Sequence, residues 1–213
     1  MNLITAQKAA GVLVDVLGTE FDLECAVGGS VALASYGLLN RPIDDIDLVC
    51  RPPKNDNQLI LAIRKKGFRI QDETIKKARQ SLEVGKLRFY QQRAPENDTI
   101  KFEIFVPCRF KNLSPKAKAL ADATYRQTRL CPLGTGLTLV SPEVCITWKT
   151  LFARPGDEQD LFDIRDRANE QGLVLDTLFI EKHIANLTGQ CGPNMELLRR
   201  VFFSNAWFSG MSG

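Results

Sequence analysis

Two aspartates separated by a single apolar residue, Asp45 and Asp47, constrain the fold of this chain more than any other feature. The surrounding residues 46–50 are otherwise apolar, which predicts a strand inside a sheet. Side chains alternate between the two faces of a strand, so both carboxylates point the same way, with Cα atoms about 6.5–7 Å apart. Because unpaired carboxylates are costly to bury, the pair needs a partner, either a metal ion or a cation such as Arg41 or a lysine.

A glycine turn precedes this strand. Residues 24–27 predict a short strand that enters Gly28 and Gly29, and Ser30 is the expected N-cap of the helix that follows. Glycines let the backbone turn tightly and approach a ligand closely, and the free N–H groups at a helix start favour phosphate. Alone, such a short motif more often marks an ordinary strand–turn–helix. Beside two carboxylates, it suits Mg²⁺ and a nucleoside triphosphate.

A third acid is expected on a nearby strand, because two metal ions bound to phosphates need more than two carboxylates. Glu103 is the candidate, since residues 100–106 predict a strand and apolar residues flank the acid on both sides. Alone, Glu103 would more often be an edge-strand acid. Together with the two aspartates, it favours a metal site.

The order of predicted elements indicates an α+β fold, a mixed β-sheet with flanking helices followed by a helical C-terminal part. Helices are predicted over residues 5–17, 31–36, 57–66, 74–80, 142–152, 158–171, 176–187 and 194–204. Strands are predicted over residues 24–27, 46–50, 68–70, 86–91, 100–106 and 137–140. Because the pattern becomes wholly helical near residues 139–142, we expect an α/β domain over residues 1–140 and a helical region over residues 141–213.

Charge is distributed unevenly along the chain. Residues 64–129 carry 17 basic and 7 acidic side chains, whereas residues 1–63 carry 4 basic and 8 acidic ones. A basic segment beside an acidic one attracts a polyanion to one side of a molecule, which makes RNA, including tRNA, a candidate partner. A solvated surface explains the same counts equally well. No apolar run reaches the roughly 18 residues of a membrane span, so no membrane partner is expected.

The cysteines and the N-terminus predict a cytoplasmic protein. Six cysteines occur without close pairing, and no basic start followed by an apolar block marks a signal peptide. Cys25, Cys50 and Cys145 lie in apolar runs, where a thiol behaves as a small buried hydrophobe, so we expect reduced thiols. One histidine and no CxxC argue against a structural zinc site.

Taken together, these motifs resemble the nucleotidyltransferases of the DNA polymerase β superfamily. The resemblance is carried by the glycine turn, by Arg41 eleven residues after Ser30, by the DIDL strand and by the later strand acid. It implies a nucleotidyltransferase-like sheet that binds two Mg²⁺ ions and a nucleoside triphosphate. The triphosphate would be held by Gly28, Gly29, Ser30 and Arg41, and the metal ions by Asp45, Asp47 and Glu103.

Four short segments are similar to motifs of the AbiEii-like toxins of type IV toxin–antitoxin systems. RPIDDID is similar to their RxTxDxD segment, with Ile43 in place of the usual small hydroxyl residue. Lys101-Phe102-Glu103 resembles their second motif, and SPEVCITWKTLFAR resembles the third, with Glu143 and Lys149 at the matching places. QDLFD resembles the fourth motif through Asp160 and Asp163, with Gln159 in place of the expected arginine. This resemblance implies transfer of a nucleotide to RNA, protein or a small molecule, a toxin role and a cognate antitoxin.

Two alternatives remain open from the residues. Lys149 would neutralise triphosphate charge and Asp160 would orient it or accept a proton, but an ordinary helix–helix salt bridge explains both residues equally well. A non-catalytic nucleotide- or RNA-binding subunit of the same fold is the alternative function, although a degenerate copy would more often have lost one of the acids.

The C-terminal aromatics are expected to form core or a hydrophobic patch, not a base-stacking platform: Phe202, Phe203, Trp207 and Phe208.

Overall fold

The computed structural model describes residues 1–71, 74–93, 98–110 and 115–203. Its strands are β1 (Cys25–Val27), β2 (Asp45–Cys50), β3 (Arg69–Ile70), β4 (Lys86–Arg93), β5 (Asp98–Phe105), β6 (Thr128–Leu130) and β7 (Thr138–Val140). Its helices are α1 (Leu3–Phe21), α2 (Gly29–Ser35), α3 (Asp56–Lys65), α4 (Ile75–Glu83), α5 (Pro115–Arg126), α6 (Pro142–Phe152), α7 (Asp157–Glu170), α8 (Thr177–Thr188) and α9 (Pro193–Phe202). A 3₁₀ turn covers Pro107–Arg109.

These strands form one mixed sheet in the order β3-β4-β5-β2-β1-β7-β6. β2 lies at the centre, parallel to β5 and antiparallel to β1. The predicted α+β class, with a mixed sheet, flanking helices and a helical final part, is confirmed. Along the chain, β7 is the last described strand, and α6 starts two residues later with Ser141 as its N-cap and Pro142 as its first residue.

The alternation of side chains on β2 and β5 gives the sheet two different faces. Ile46, Leu48, Phe102 and Ile104 are buried on one face, where Phe68, just after α3, packs edge-on against Phe102. α3 and α4 cover this face with their own apolar residues, and each large side chain buried there contributes about 1.5–3 kcal/mol. The acids of β2 and β5 therefore point to the opposite face.

Three local features differ from the sequence-based expectation. α5 and β6 were not predicted, because Leu120 is the only large aliphatic residue of α5 and β6 has only three residues. Ser30 is not the N-cap of α2: that position is Gly28, no side chain caps the helix, and Ser30 lies inside its first turn. Gly29 has a φ of +56°, a left-handed conformation that favours glycine, and the helix starts two residues earlier than predicted.

The prediction of reduced thiols is wrong for two cysteines. Cys25 on β1 and Cys50 on β2 are directly opposed in the antiparallel ladder, with Cα atoms 4.2 Å apart, and form a disulfide. Cys131 and Cys145 are buried free thiols, and Cys108 and Cys191 are exposed free thiols. The pairing depends on the register of β1 and β2, which cannot be deduced from sequence spacing.

The aromatic residues near the C-terminus divide into two groups. Phe202 is completely buried in the core and Phe203 packs against it, so the core interpretation is confirmed for these two. Trp207 and Phe208 lie outside the described residues. Among the residues that the structure describes, no helix combines the length and apolar character that would let it cross a membrane.

Candidate active site

Three carboxylates converge on the open face of the sheet. Asp45 and Asp47 lie two residues apart on β2, and the parallel register places Glu103 of β5 directly beside Asp47. One oxygen from each carboxylate lies within 4.8 Å of the others. The convergence follows from strand alternation and one register, which is why the sequence was sufficient to predict it.

The glycine turn lies against this cluster. The Gly28 N–H donates to the Asp47 carbonyl oxygen at 2.8 Å, which joins the turn to β2. A Cβ atom at Gly29 would lie only 1.9 Å from Asp47 Oδ2, so the carboxylate occupies the space that any other residue would fill. The turn, the start of α2 and the Asp47 carboxylate therefore form one contiguous surface.

Asp47 is the carboxylate of this cluster without a cation. Within the described part of the chain, none of the ion pairs or side-chain hydrogen bonds of the site involves it. Burial, and then the negative charges of Asp45 and Glu103, raise the pKa of Asp47 to about 7. A carboxylate held in this state is stabilised by any cation that enters the cluster.

Glu103 is in the opposite electrostatic situation. It is 2% exposed, and its carboxylate accepts from Lys86 Nζ at 2.6 Å, Arg88 Nε at 2.6 Å and Lys101 Nζ at 3.0 Å. Burial alone would raise its pKa, but the hydrogen bonds and charges of these lysines outweigh burial and lower the pKa to about 2. Lys101 also donates to Asp45 Oδ2 at 2.7 Å, so two of the three acids are already paired.

A second charged cluster links the helical part to the turn. Lys149 of α6 is buried and donates to Asp157 at 2.5 Å and to Asp160 at 2.6 Å, both on α7. Asp160 also accepts from Arg41 Nε at 2.8 Å, and Arg41 Nη2 donates to Ser30 Oγ at 3.3 Å. Burial would raise the pKa of Asp160, but Arg41 and Lys149 lower it. This is the helix–helix salt bridge that the sequence left open as the alternative to a catalytic role for Lys149 and Asp160. Through Arg41, the same cluster contacts Ser30, next to the glycine turn.

Both clusters border one cavity of about 440 Å³, a size that suits a small organic ligand. Its polar lining includes Gly28, Gly29, Ser30, Arg41, Asp45, Asp47, Lys86, Lys149, Arg154 and Asp157. Its apolar lining includes Val49, Phe105, Phe110, Val140, Trp148 and Phe152. The glycine turn, the two aspartates of β2 and Lys149, which separate sequence motifs assigned to one site, therefore line a single cavity.

Some residues of the site were missed, and some sequence matches lie elsewhere. Asp157 was not singled out, although it precedes Asp160 by one helical turn and follows a Pro-Gly turn, the only signal available. Lys86, Arg88 and Lys101 were counted as net charge, yet alternation on their strands places them beside Glu103.

Four acids of the toxin-like motifs do not line the cavity themselves. Glu103 and Asp160 pair with lining residues, Glu103 with Lys86 and Asp160 with Arg41 and Lys149, whereas Asp163 and Glu143 lie elsewhere. Asp163 accepts from its own helix neighbour Gln159, at 2.9 Å. Glu143 is buried near Arg129, with its Oε2 lacking a hydrogen bond within the described structure. The buried free thiol of Cys145 does line the cavity, and burial raises its pKa to about 12, so it is a poor nucleophile.

The acid cluster fits Mg²⁺ by its donor chemistry, because every candidate ligand atom is a carboxylate oxygen. Among the described residues, Asp47 forms no ion pair, and Asp45 is paired with Lys101 through Oδ2. Glu103 has to exchange cation contacts for a metal ion, since both of its oxygens are paired.

No protein-family model and no curated protein matches the sequence. Among solved structures, the chain is similar to JHP933 from Helicobacter pylori, with 18% sequence identity and a TM-score of 0.44 over 93% of this chain and 88% of that chain. It is also similar to a protein described as a putative nucleotidyltransferase from H. pylori, with 18% identity and a TM-score of 0.43 over 93% of this chain and 91% of that chain. We infer the function from the geometry of the cavity, not from these likenesses.

Proposed function

We propose that the protein is a Mg²⁺-dependent nucleotidyltransferase, which moves a nucleoside monophosphate from a nucleoside triphosphate to an acceptor hydroxyl. One observation carries the proposal. Three carboxylates converge to within 4.8 Å on adjacent strands, and one of them, Asp47, touches a left-handed glycine turn at a helix start. Carboxylates suit metal ions and a helix start suits phosphate, so a metal-bound triphosphate matches both at once.

Asp45, Asp47 and Glu103 are the residues that would hold a two-ion Mg²⁺ site. Bound Mg²⁺ supplies charge neutralisation at the phosphates and activation of the acceptor hydroxyl. In this proposal, backbone N–H groups at the start of α2 would bind phosphate oxygens.

The second charged cluster serves the leaving group in this proposal. Lys149 lines the cavity and would neutralise charge on the departing pyrophosphate. Asp160 holds Lys149 and Arg41 at the same time, so it acts as a positioning residue for both cations. Arg41, held beside Ser30, would contact the triphosphate from the turn side.

RNA, including tRNA, is the acceptor that we favour. Lys86, Arg88 and Lys101 lie on the acid-bearing face of the sheet, where a polyanion can approach the carboxylates. A toxin role and a cognate antitoxin are proposed from the sequence motifs alone, and a cytoplasmic location from the cysteine pattern and the N-terminal sequence.

The test is a transfer assay with purified protein, Mg²⁺, each α-phosphate-labelled nucleotide in turn, and total RNA. We expect label on RNA with the wild type and none with Asp45→Asn. Asp163→Asn is the matched control, because Asp163 bonds only within α7 and does not line the cavity. Undiminished transfer by a folded Asp45→Asn protein would overturn the mechanism.

The cations around Glu103 support a second candidate, a non-catalytic nucleotide- or RNA-binding subunit. Lys86, Arg88 and Lys101 already neutralise Glu103, an arrangement that a phosphate-binding surface can use without a metal ion. Thermal unfolding separates the two candidates. A rise in melting temperature that needs both Mg²⁺ and triphosphate, and that Asp47→Ala removes, supports the enzyme. A rise that survives EDTA and Asp47→Ala supports the binding protein.

A further inference from the structure

A wall of three aromatic rings lines the same cavity as residues of the two charged clusters. Trp148 and Phe152 lie four residues apart on α6, with stacked rings whose centroids are 5.6 Å apart and whose planes differ by 19°. Phe110, just after the 3₁₀ turn, meets Trp148 edge-on at 6.0 Å. All three rings line the cavity that also contains the glycine turn and the acids.

The wall is held in position, yet it is not fully buried. The Trp148 Nε1–H donates to Thr124 Oγ1 at 3.0 Å, and Thr124 is completely buried, so the orientation of the indole ring is fixed from behind. Phe152 is 52% exposed, an unusual state for a phenylalanine beside a cavity. Core packing therefore explains the placement of Trp148. The exposed surface of Phe152 is contacted by the guanidinium of Arg154, whose Cζ lies 5.9 Å from the ring centroid and which also lines the cavity.

We propose that Trp148 and Phe152 form the nucleobase subsite of this cavity, and that the incoming base stacks on the exposed ring of Phe152. This inference rests on the proposed function, since it assigns the base of the same triphosphate. Lys149 follows Trp148 directly on α6, so one helix carries both the cation for the phosphates and the surface for the base. Base–aromatic stacking tolerates any base, so the wall strengthens binding of all four nucleotides to a similar extent.

The test compares ligands with and without a base, in the presence of Mg²⁺. Titration calorimetry measures the dissociation constants of ATP, GTP, CTP, UTP and inorganic tripolyphosphate for the wild type. We expect each of the four nucleotides to bind about tenfold more tightly than tripolyphosphate, which is the size of effect that one stacked base gives. Phe152→Ala should remove that advantage and leave tripolyphosphate binding unchanged.

Two further variants separate stacking from folding. Trp148→Phe keeps a ring and should retain most of the advantage, and Leu178→Ala, an exposed apolar position on α8 outside the cavity, should behave as the wild type. Equal affinity of nucleotides and tripolyphosphate for the wild type would overturn the base subsite while leaving the triphosphate site intact. Parallel weakening of both ligand types by Phe152→Ala would overturn it as well. Binding of neither ligand type by the wild type would overturn the proposed function itself.

Discussion

At the scale of single residues, the contact between Gly29 and Asp47 is the least replaceable feature of the cavity. Gly29→Ala places a Cβ 1.9 Å from Asp47 Oδ2 at a backbone φ of +56°, so either the turn or the carboxylate has to move. We expect Gly29→Ala to lose nucleotide transfer by at least about 100-fold, because a displacement of about 1 Å at a reacting centre has that effect. The transfer assay described above measures it.

A second glycine variant separates the effect of the Asp47 contact from the effect of backbone strain. Gly136 also has a positive φ, of +74°, but a Cβ there meets open space. Gly136→Ala should therefore cost only backbone strain, about 1 kcal/mol of unfolding free energy, and keep transfer activity. Equal losses of transfer in the two variants would show that the Asp47 contact is unimportant.

The raised pKa of Asp47 predicts how stability depends on pH without metal. The folded-state pKa is about 7 and the ordinary value is 3.8, so the folded protein binds this proton more tightly than the unfolded chain. The contribution of Asp47 to stability is therefore full below about pH 4 and is lost as pH rises through about 7. Asp47→Asn, which is never charged, should exceed the wild type in unfolding free energy by about 2 kcal/mol at pH 8, and by much less at pH 5.

Urea unfolding of both proteins at pH 5 and pH 8, with EDTA present, measures this difference. Asp163→Asn is again the control, because Asp163 is half-buried, accepts a hydrogen bond from Gln159 of its own helix and does not line the cavity. A wild type that is more stable than Asp47→Asn at pH 8 would contradict the assigned environment of Asp47. Addition of Mg²⁺ at pH 8 should then stabilise the wild type more than the variant.

At the scale of elements, α6 and α7 are joined by a buried ion pair that the sequence did not reveal. Asp157 is 4% exposed and accepts from Lys149 Nζ and, at 2.8 Å, from the Arg154 N–H. Asp157→Asn leaves Lys149 with Asp160 as its remaining carboxylate. We expect a loss of about 1–3 kcal/mol of unfolding free energy. Asp163→Asn, at a half-buried carboxylate that accepts from Gln159 of the same helix, should change it by less than about 0.5 kcal/mol. Chemical denaturation of the two variants measures the difference, and equal effects would contradict a structural role for Asp157.

The disulfide between β1 and β2 gives a second test at this scale. Cys25 and Cys50 are paired and four other cysteines are free. Alkylation of the denatured, unreduced protein should therefore modify four thiols, and six after reduction, as counted by intact mass. Because the closed loop spans 25 residues, reduction should lower the unfolding free energy by about 3 kcal/mol. Six modified thiols before reduction would contradict the pairing and restore the expectation from the sequence.

Most elements were predictable from the sequence, and the exceptions have physical reasons. β2 and β5 have an apolar period of two and α6 begins with Ser-Pro-Glu, so local patterns were sufficient there. α5 lacked such a pattern, and the partners of Lys149 and Glu103 are set by packing between elements distant in sequence. The acids and the glycine turn were predicted because alternation on one strand and one turn define them. The cations and aromatic rings around them were not, because they come from β4, β5, the 3₁₀ turn and α6.

At the scale of the whole molecule, the basic segment divides between the two faces of the sheet. α4, which carries the exposed Lys76, packs on the face opposite the acids, whereas Lys86 and Lys101 stand beside Glu103. A polyanion that serves as the acceptor has to reach the acid-bearing face. The net charge of the basic segment therefore overestimates the number of cations that can contact this polyanion. Occupation of the acids by Mg²⁺ would also release Lys86 and Lys101 to bind phosphate.

Salt dependence of RNA binding tests this division. Each cation that contacts a phosphate contributes about one unit to the slope of log affinity against log salt, so Lys86→Gln should lower the slope by about one in the presence of Mg²⁺. Lys76→Gln removes the same charge from the opposite face and should leave the slope unchanged. Filter binding over a series of salt concentrations measures both variants. Because net charge falls equally in the two proteins, equal slopes would mean that RNA binding responds to total charge. A lower slope for Lys86→Gln alone would place the RNA on the face that carries Asp45, Asp47 and Glu103.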